Sequence, residues 1–281
     1  MAASPAVADV STWDVASPRR PLRTPRAAMA GFRVRSAPDP VRIVPHPSVM
    51  LLVEVGGRSV VRDADGRRRR WGSHVAGLGF GAGGSFAVRA DDVECVEVRL
   101  SPTVARSVLG VSPAELEGIA VPLDDVVGRE LARLGERLGE LATWEERFAA
   151  TDAWLAGRRT GHGAPDPEVA WAWRRIVASE GAVRVDELAA EVGWSRKRLW
   201  TRFGAQLGAA PKRAATLVRF DRAAHRIVAG LEPGRAAADG GYADQSHLHR
   251  EVLGFAGVTP ARLAAEPFLA VDDVAWPARR R

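Results

Sequence analysis

The chain has 281 residues, of which 46% are hydrophobic, and its 40 basic and 34 acidic residues give a formal net charge of +6. This length suits two domains with ordinary cores, and the hydrophobic fraction excludes a chain that is disordered by composition. There is no apolar run of the roughly 18 residues that span a membrane, so we expect no membrane partner. A single cysteine, Cys95, excludes an intrachain disulfide and favours a cytoplasmic location.

The first half of the chain is typical of β structure followed by helices. We expect residues 1–18 to form a flexible tail. Between residues 41 and 100, short apolar runs alternate with glycine-rich turns, a pattern typical of a small barrel or sandwich. Glu97 and Arg99 alternate with apolar residues, which predicts a half-buried strand. Between residues 101 and 158 the spacing of the leucines becomes helical.

Residues 158–167 predict a linker, because they are polar and rich in loop-forming residues. The helical pattern after them stops at Gly193-Trp194, and Ser195 is a good N-cap for the next helix. Leu199 and Phe203 lie one turn apart and predict the buried face of that helix. A short helix, a glycine-containing turn and a capped second helix are the layout of a helix-turn-helix motif.

The outer face of this capped helix is strongly basic. Residues 195–226 contain nine basic residues and one acid, Asp221, so the positive charge of the chain is concentrated here. Such clustering suits contacts with phosphates and entry into a DNA groove. The residues expected to face outward are Arg196, Lys197, Arg198, Trp200, Thr201 and Arg202.

A second unit of the same layout follows a long helix that ends at Gly230. Its turn lies at Gly241-Tyr242, Asp244 is the predicted N-cap, and Leu248 and Val252 are predicted to face inward. Side chains that can form hydrogen bonds with base edges are expected on the outer face. They are Gln245, Ser246, His249 and Arg250.

Two stretches resemble the paired helix-turn-helix motifs of the AraC/XylS family. VDELAAEVGWSRKRLWTRFGAQLGAAPKR resembles the first motif, and GYADQSHLHREVLGFAGVTP resembles the second. The resemblance implies sequence-specific DNA binding by two recognition helices in successive major grooves. By position it implies DNA contacts from Arg196, Lys197, Trp200, Thr201 and Arg202 in the first helix, and from Gln245, Ser246, His249 and Arg250 in the second.

The sequence departs from the family pattern at three places. Thr201 stands where arginine is common, and Val252 stands where phenylalanine is usual. The segment 235–240, predicted as the support helix of the second unit, has small apolar residues and contains Gly240. A glycine inside a helix costs ~1 kcal/mol relative to alanine, so we expect the second unit to be the less stable one.

The N-terminal half resembles the sensor-type domain of actinobacterial AraC-family proteins. The stretches that carry this resemblance are HPSVMLLVEVGG, VAGL, LSPTVARSVLGVSPAEL and VPLDDV. It implies a cupin-like domain that senses an effector or dimerises. The expected fold class is α+β, with a small β-barrel or cupin-like N-terminal domain with helices and an all-α C-terminal domain. The expected order is a tail (1–18), sensor or dimerisation domain (19–157), linker (158–167), double helix-turn-helix domain (168–267) and second tail (268–281).

We therefore expect a transcription regulator that binds promoter DNA and responds to a small molecule. A second copy of the chain and, for an activator, RNA polymerase are further expected partners. The alternatives are a metal-dependent cupin-type enzyme or a non-sensing dimerisation module fused to the DNA-binding domain. His46, His74, Cys95 and Glu97 lack the tight His-x-His spacing of metal-binding cupins. No nucleophile-elbow or P-loop motif occurs, and the glycine run at residues 79–84 is not followed by the helix pattern of a dinucleotide-binding motif. We expect no enzyme activity, no cofactor and no metal site.

Overall fold

The structure is a computed structural model that describes residues 13–35, 41–56, 59–62, 68–70, 72–79, 85–117, 120–128, 130–158 and 163–266, together with positions 269, 271, 272, 275 and 276. The described residues form an N-terminal domain of antiparallel sheet and helices and a C-terminal domain of helices. The α+β class predicted from the sequence is confirmed.

The sheet of the N-terminal domain is organised around one long strand. The strands are Trp13–Ala16 (β1), Ala27–Val34 (β2), Val41–Ile43 (β3), Val49–Glu54 (β4), Val60–Arg62 (β5), Arg68–Arg70 (β6), His74–Ala76 (β7), Phe86–Leu100 (β8) and Ala120–Pro122 (β9). The main order is β1-β2-β8-β4-β7-β9, and β8 also pairs with β3 and β5. Because β8 has 15 residues, it holds four other strands in one antiparallel sheet.

Helices cover one face of this sheet. They are Pro102–Leu109 (α1), Leu123–Val127 (α2), Glu130–Glu140 (α3) and Trp144–Arg158 (α4), with a 3₁₀ helix at Pro113–Leu116. The leucine stripe predicted from the sequence packs inward, with Leu134 and Leu138 in one cluster with Val53 and Val96 of the sheet. Burial of each such side chain contributes about 1.5–3 kcal/mol to stability.

The opposite face of β8 is covered as well. Glu97 is fully buried and Arg99 is nearly so, and therefore the prediction of a half-buried strand is wrong. The cause is a segment from the far end of the chain. Val271 and Trp276 pack with Phe32 and other residues of the second sheet face.

The two predicted tails are corrected where the structure describes them. Within residues 1–18, β1 pairs with β2 in the register Trp13↔Val34. Within residues 268–281, Val271 and Trp276 are buried against the sheet, because both are apolar and complete its second core. Residues 1–12 and 277–281 lie outside the described residues.

The C-terminal domain consists of short helices around one long helix. Its helices are Pro167–Ala178 (α5), Val185–Glu191 (α6), Arg196–Leu207 (α7), Pro211–Val228 (α8), Pro233–Asp239 (α9), Gln245–Ala256 (α10) and Pro260–Leu263 (α11). One hydrophobic cluster includes Leu199 and Phe203 of α7, Phe220 of α8 and Leu248 of α10. Of the predicted linker 158–167, residue 158 ends α4, residue 167 begins α5, and residues 159–162 lie outside the described residues.

Gly240 lies just outside the support helix of the second unit. α9 ends at Asp239 and Gly240 is its C-cap, so the predicted cost of a glycine inside this helix is wrong. A Cβ atom at Gly240 would lie 2.8 Å from the Ala236 carbonyl oxygen and 3.0 Å from the ring of Tyr242. The glycine therefore allows the turn to pass close to Tyr242, which is buried in the core.

Candidate nucleic-acid interface

The first exposed recognition surface is the outer face of α7. The Ser195 hydroxyl accepts a hydrogen bond from the Arg198 amide at 3.2 Å and caps the start of the helix. Leu199, Phe203 and Leu207 are fully buried, which fixes the rotation of the helix about its axis. The five predicted DNA-contacting residues therefore lie on the solvent side: Arg196, Lys197, Trp200, Thr201 and Arg202 are all exposed.

Trp200 is 54% exposed, which is unusual for a large apolar side chain. It lies on the same basic face as Lys197. An exposed indole on a cationic helix face can stack on a base or contact a thymine methyl group.

The outer face of α10 is the second surface. The Asp244 carboxylate accepts a hydrogen bond from the His247 amide at 2.7 Å and caps this helix. Leu248 and Val252 are fully buried, as predicted. The four predicted contact residues Gln245, Ser246, His249 and Arg250 are all exposed.

Contacts with α8 hold the second recognition helix in place. Arg219 of α8 forms a short charged hydrogen bond with Glu251 of α10. The ring of Phe220 stacks on Phe255 with the ring centroids 4.9 Å apart. The Arg219–Glu251 pair could not be predicted from the sequence, because its partners lie 32 residues apart and on different helices.

Two arginines of the first surface are engaged within the protein. Arg202 donates hydrogen bonds to both carboxylate oxygens of Asp166, at 2.8 and 2.9 Å. Hydrogen bonding by Gln206 and then by Arg202 holds the pKa of Asp166 below its usual range. The Arg198 guanidinium lies 4.5 Å from the centre of the Trp194 ring. Arg196 and Lys197 are exposed at the N-terminal end of the same helix.

The last turn of α7 contacts the N-terminal domain. The Ser112 hydroxyl donates a hydrogen bond to the Ala205 carbonyl at 3.0 Å. Gly208 lies so close to the Pro113 carbonyl that a Cβ atom there would clash with it. A recognition helix is thus connected directly to the domain that the sequence predicts to be the sensor.

Residues 188–266 match the family model described as a helix-turn-helix domain. This range contains α7 and α10 with all nine predicted contact residues. Two successive units with exposed recognition helices define the chain as a DNA-binding transcription regulator. Its C-terminal domain is a helix-turn-helix domain of the AraC/XylS type.

Several solved structures are similar to the chain. The C-terminal domain of AraT, a response regulator from Geobacillus stearothermophilus, is 22% identical, with 35% of this chain and 84% of that chain covered and a TM-score of 0.33. ToxT from Vibrio cholerae O395 is 12% identical, with 88% and 98% covered and a TM-score of 0.48. The xylose-binding transcription activator XylR is 16% identical, with 46% and 38% covered and a TM-score of 0.33.

None of the curated proteins compared with the chain matches it. Because the structural similarities are distant, the assignment depends on the family model and on the two helix-turn-helix units. Within the described residues, no helix is both long enough and apolar enough to cross a membrane.

A largely buried polar cluster that could not be predicted from the sequence lies where the two domains meet. It consists of His46, Glu97, Arg99, Asp221, His225 and Asp272, and we call it the interdomain cluster. Arg99 donates to Glu97 at 2.5 Å and forms two hydrogen bonds with Asp272. The carboxylate of Asp272 is held ionised by this guanidinium, which keeps its pKa well below the usual range despite burial.

A cleft of about 1400 Å³ opens beside this cluster, between the sheet and helices α5 and α8. Its lining combines aromatic side chains, Trp173 and Trp276, with arginines, of which Arg26 and Arg174 are joined by Arg222, the partner of Glu180 in the same wall. Such a lining can bind a small molecule that has an anionic group and an apolar body. The cleft could not be predicted from the sequence, because its walls come from both domains.

Proposed function

We propose that α7 and α10 read base edges in two successive major-groove segments of promoter DNA, centred about one helical turn or ~34 Å apart. The observation that carries this proposal is that each helix has one buried apolar face and one exposed face with the candidate contact residues. The inner faces, which include Leu199 and Leu248, are fully buried. The outer faces keep all nine basic, polar and aromatic candidates exposed.

The side-chain types suit particular contacts. Arginine and lysine donate to O6 and N7 of guanine, and glutamine pairs with N6 and N7 of adenine. In this proposal Arg196, Lys197, Trp200 and Thr201 contact bases in one segment, and Gln245, Ser246, His249 and Arg250 contact bases in the other. Arg202 joins the first group once a phosphate or base replaces Asp166 as its partner.

The test is gel shift and footprinting of the full-length protein on the DNA upstream of its own gene, over a range of salt concentrations. We expect binding that weakens steeply with salt and protection over two turns per chain. Lys197→Ala should lower specific affinity by ~1 kcal/mol or more, about fivefold. Arg137→Ala, which removes an exposed positive charge from α3, is the matched control and should leave affinity unchanged. Equal losses in both variants, or no sequence preference at any salt, would refute base reading by α7.

We also propose that the cleft binds the effector, as a small organic anion with an apolar body. Its arginine and tryptophan lining supports this ligand class. A ligand there would touch both the sheet and α8, which joins the two helix-turn-helix units. It would therefore change the positions of α7 and α10 relative to the N-terminal domain. The hydrogen bond from Ser112 to the Ala205 carbonyl of α7 is a second route for the same coupling.

Thermal shift with a panel of apolar carboxylates tests the effector proposal. Arg174 lines the cleft, whereas its neighbour Arg175 does not and instead pairs with Glu191. Arg174→Ala should weaken binding of a stabilising carboxylate, and Arg175→Ala should not. Equal binding by both variants would place the ligand elsewhere.

The regulator would act in the cytoplasm, with a second copy of the chain and, for activation, RNA polymerase as its protein partners.

A further inference from the structure

Three side chains of the interdomain cluster present ligand atoms to a common point. The Nδ1 atom of His46 lies 2.7 Å from Oδ1 of Asp221, and Nε2 of His225 lies 3.7 Å from the same oxygen. One nitrogen or oxygen from each of these residues lies within 4.8 Å of the other two. Ligand atoms bound at about 2.0–2.2 Å around a tetrahedral ion are separated by roughly 3.3–3.6 Å, so small movements would suffice.

We propose that His46, Asp221 and His225 bind a divalent transition-metal ion of the zinc type. Two imidazoles and a carboxylate are a ligand set that such ions favour, whereas magnesium and calcium favour oxygen alone. The proposal does not depend on DNA reading by α7 and α10.

The local fold supplies these ligands from both domains. Asp221 and His225 are separated by four residues on α8, so they lie on the same helix face. His46 comes from the segment that joins β3 to β4 and is almost fully buried. An ion bound here would fasten the long helix of the DNA-binding domain to the sheet domain.

Asp272 completes the surroundings of the proposed ion. Its Oδ2 atom lies 3.2 Å from Nε2 of His225 and 3.8 Å from Nε2 of His46. When Nδ1 of His46 binds the ion, the opposite nitrogen carries the proton, and a small movement would bring this N–H within hydrogen-bond distance of Asp272. Carboxylates commonly orient metal-binding histidines in this way. Arg99 offsets one negative charge of the cluster, so the carboxylates of Glu97, Asp221 and Asp272 leave two net negative charges, which balance a divalent ion.

The sequence could not indicate this site. His46 lies 175 residues from Asp221 and 179 from His225, and only the i, i+4 spacing of Asp221 and His225 on α8 is visible locally. The site differs from the cupin-type set considered from the sequence. Of that set, His74 and Cys95 lie outside the interdomain cluster.

The first test measures metal in the full-length, tag-free protein. We expect one equivalent of zinc per chain after purification with zinc, and its loss on treatment with a chelator. Adding Co²⁺ to the stripped protein should give the visible absorption of a tetrahedral site, and adding Zn²⁺ should raise the melting temperature. Absence of bound metal together with no cobalt spectrum and no thermal shift would overturn the proposal and leave a hydrogen-bonded cluster.

Variants then locate the ion. His225→Gln and Asp221→Asn should each lose the cobalt spectrum and the zinc-dependent thermal shift. His74→Gln is the matched control, since His74 lies on β7 away from the cluster, and it should keep both signals. Retention of both signals by His225→Gln would place the ion elsewhere and overturn the proposal. If the two cluster variants fail to fold, the cobalt spectrum of the unaltered protein still decides whether a tetrahedral nitrogen–oxygen site exists.

Discussion

The Leu199→Ala substitution separates the packing role of α7 from its role in DNA binding. Leu199 is 0% exposed and belongs to the hydrophobic cluster that also contains Leu188 and Phe203. Alanine lacks three of its carbon atoms, and at about 0.8 kcal/mol per buried CH₂ group the transfer loss is ~2.4 kcal/mol. The cavity that remains adds to this value, so we expect a total loss of ~2–5 kcal/mol in the free energy of unfolding.

Urea unfolding followed by tryptophan fluorescence measures this loss, because Trp194 and Trp200 lie beside the altered residue in the chain. Lys197→Ala is the matched control on the exposed face of the same helix. It should leave the unfolding midpoint nearly unchanged while weakening DNA binding. Unfolding of Leu199→Ala at the midpoint of the unaltered protein, or a larger destabilisation by Lys197→Ala, would refute the packing role of Leu199.

Three further predictions follow from contacts described above. Asp166→Asn releases Arg202 and removes a negative charge near the proposed DNA-facing surface. Gel shift should therefore show DNA affinity raised a few-fold, by roughly 0.5–1 kcal/mol. Weaker binding would contradict the proposal that Asp166 occupies Arg202 until DNA replaces it. Gly240→Ala places a Cβ atom 2.8 Å from the Ala236 carbonyl oxygen, and urea unfolding should show a loss of ~1–3 kcal/mol in the free energy of unfolding. The control Gly254→Ala, whose Cβ atom meets open space, should show no loss. Equal stability of the two variants would refute the close approach at Gly240. Burial and then the charge of Arg99 lower the pKa of His46 from 6.5 to about 4, so between these values the unfolded chain binds a proton that the folded protein does not. In chelator-treated protein, the free energy of unfolding should therefore be highest above pH 6.5 and fall by up to about 1.4 kcal/mol per pH unit toward pH 4. His46→Gln should flatten this slope.

The helix-turn-helix units could be predicted from the sequence because their signals are local. Ser195 and Asp244 are N-caps in the structure as predicted, and Leu199, Phe203 and Leu248 are buried at the predicted spacing. Side chains on a helix repeat every few residues, so their buried and exposed faces follow directly from the sequence. The DNA contacts themselves stay a prediction.

The interface between the domains could not be predicted in this way. Glu97 and Arg99 look like the solvent face of a strand until Trp276 and Asp272 cover them from the far end of the chain. Contacts over such sequence separations leave no periodic pattern in the sequence. The same holds for His46 and Asp221, whose hydrogen bond joins segments that have no local relation.

In the proposed function, the outer faces of α7 and α10 bind adjacent segments of one DNA site. Hydroxyl-radical footprinting of the full-length protein, compared with Lys197→Ala and His249→Ala, distinguishes the two segments. We expect two protected segments about one helical turn, ~34 Å, apart. Lys197→Ala should lose protection mainly in one segment, and His249→Ala mainly in the other. A single protected segment, or loss of the same protection in both variants, would contradict this proposal.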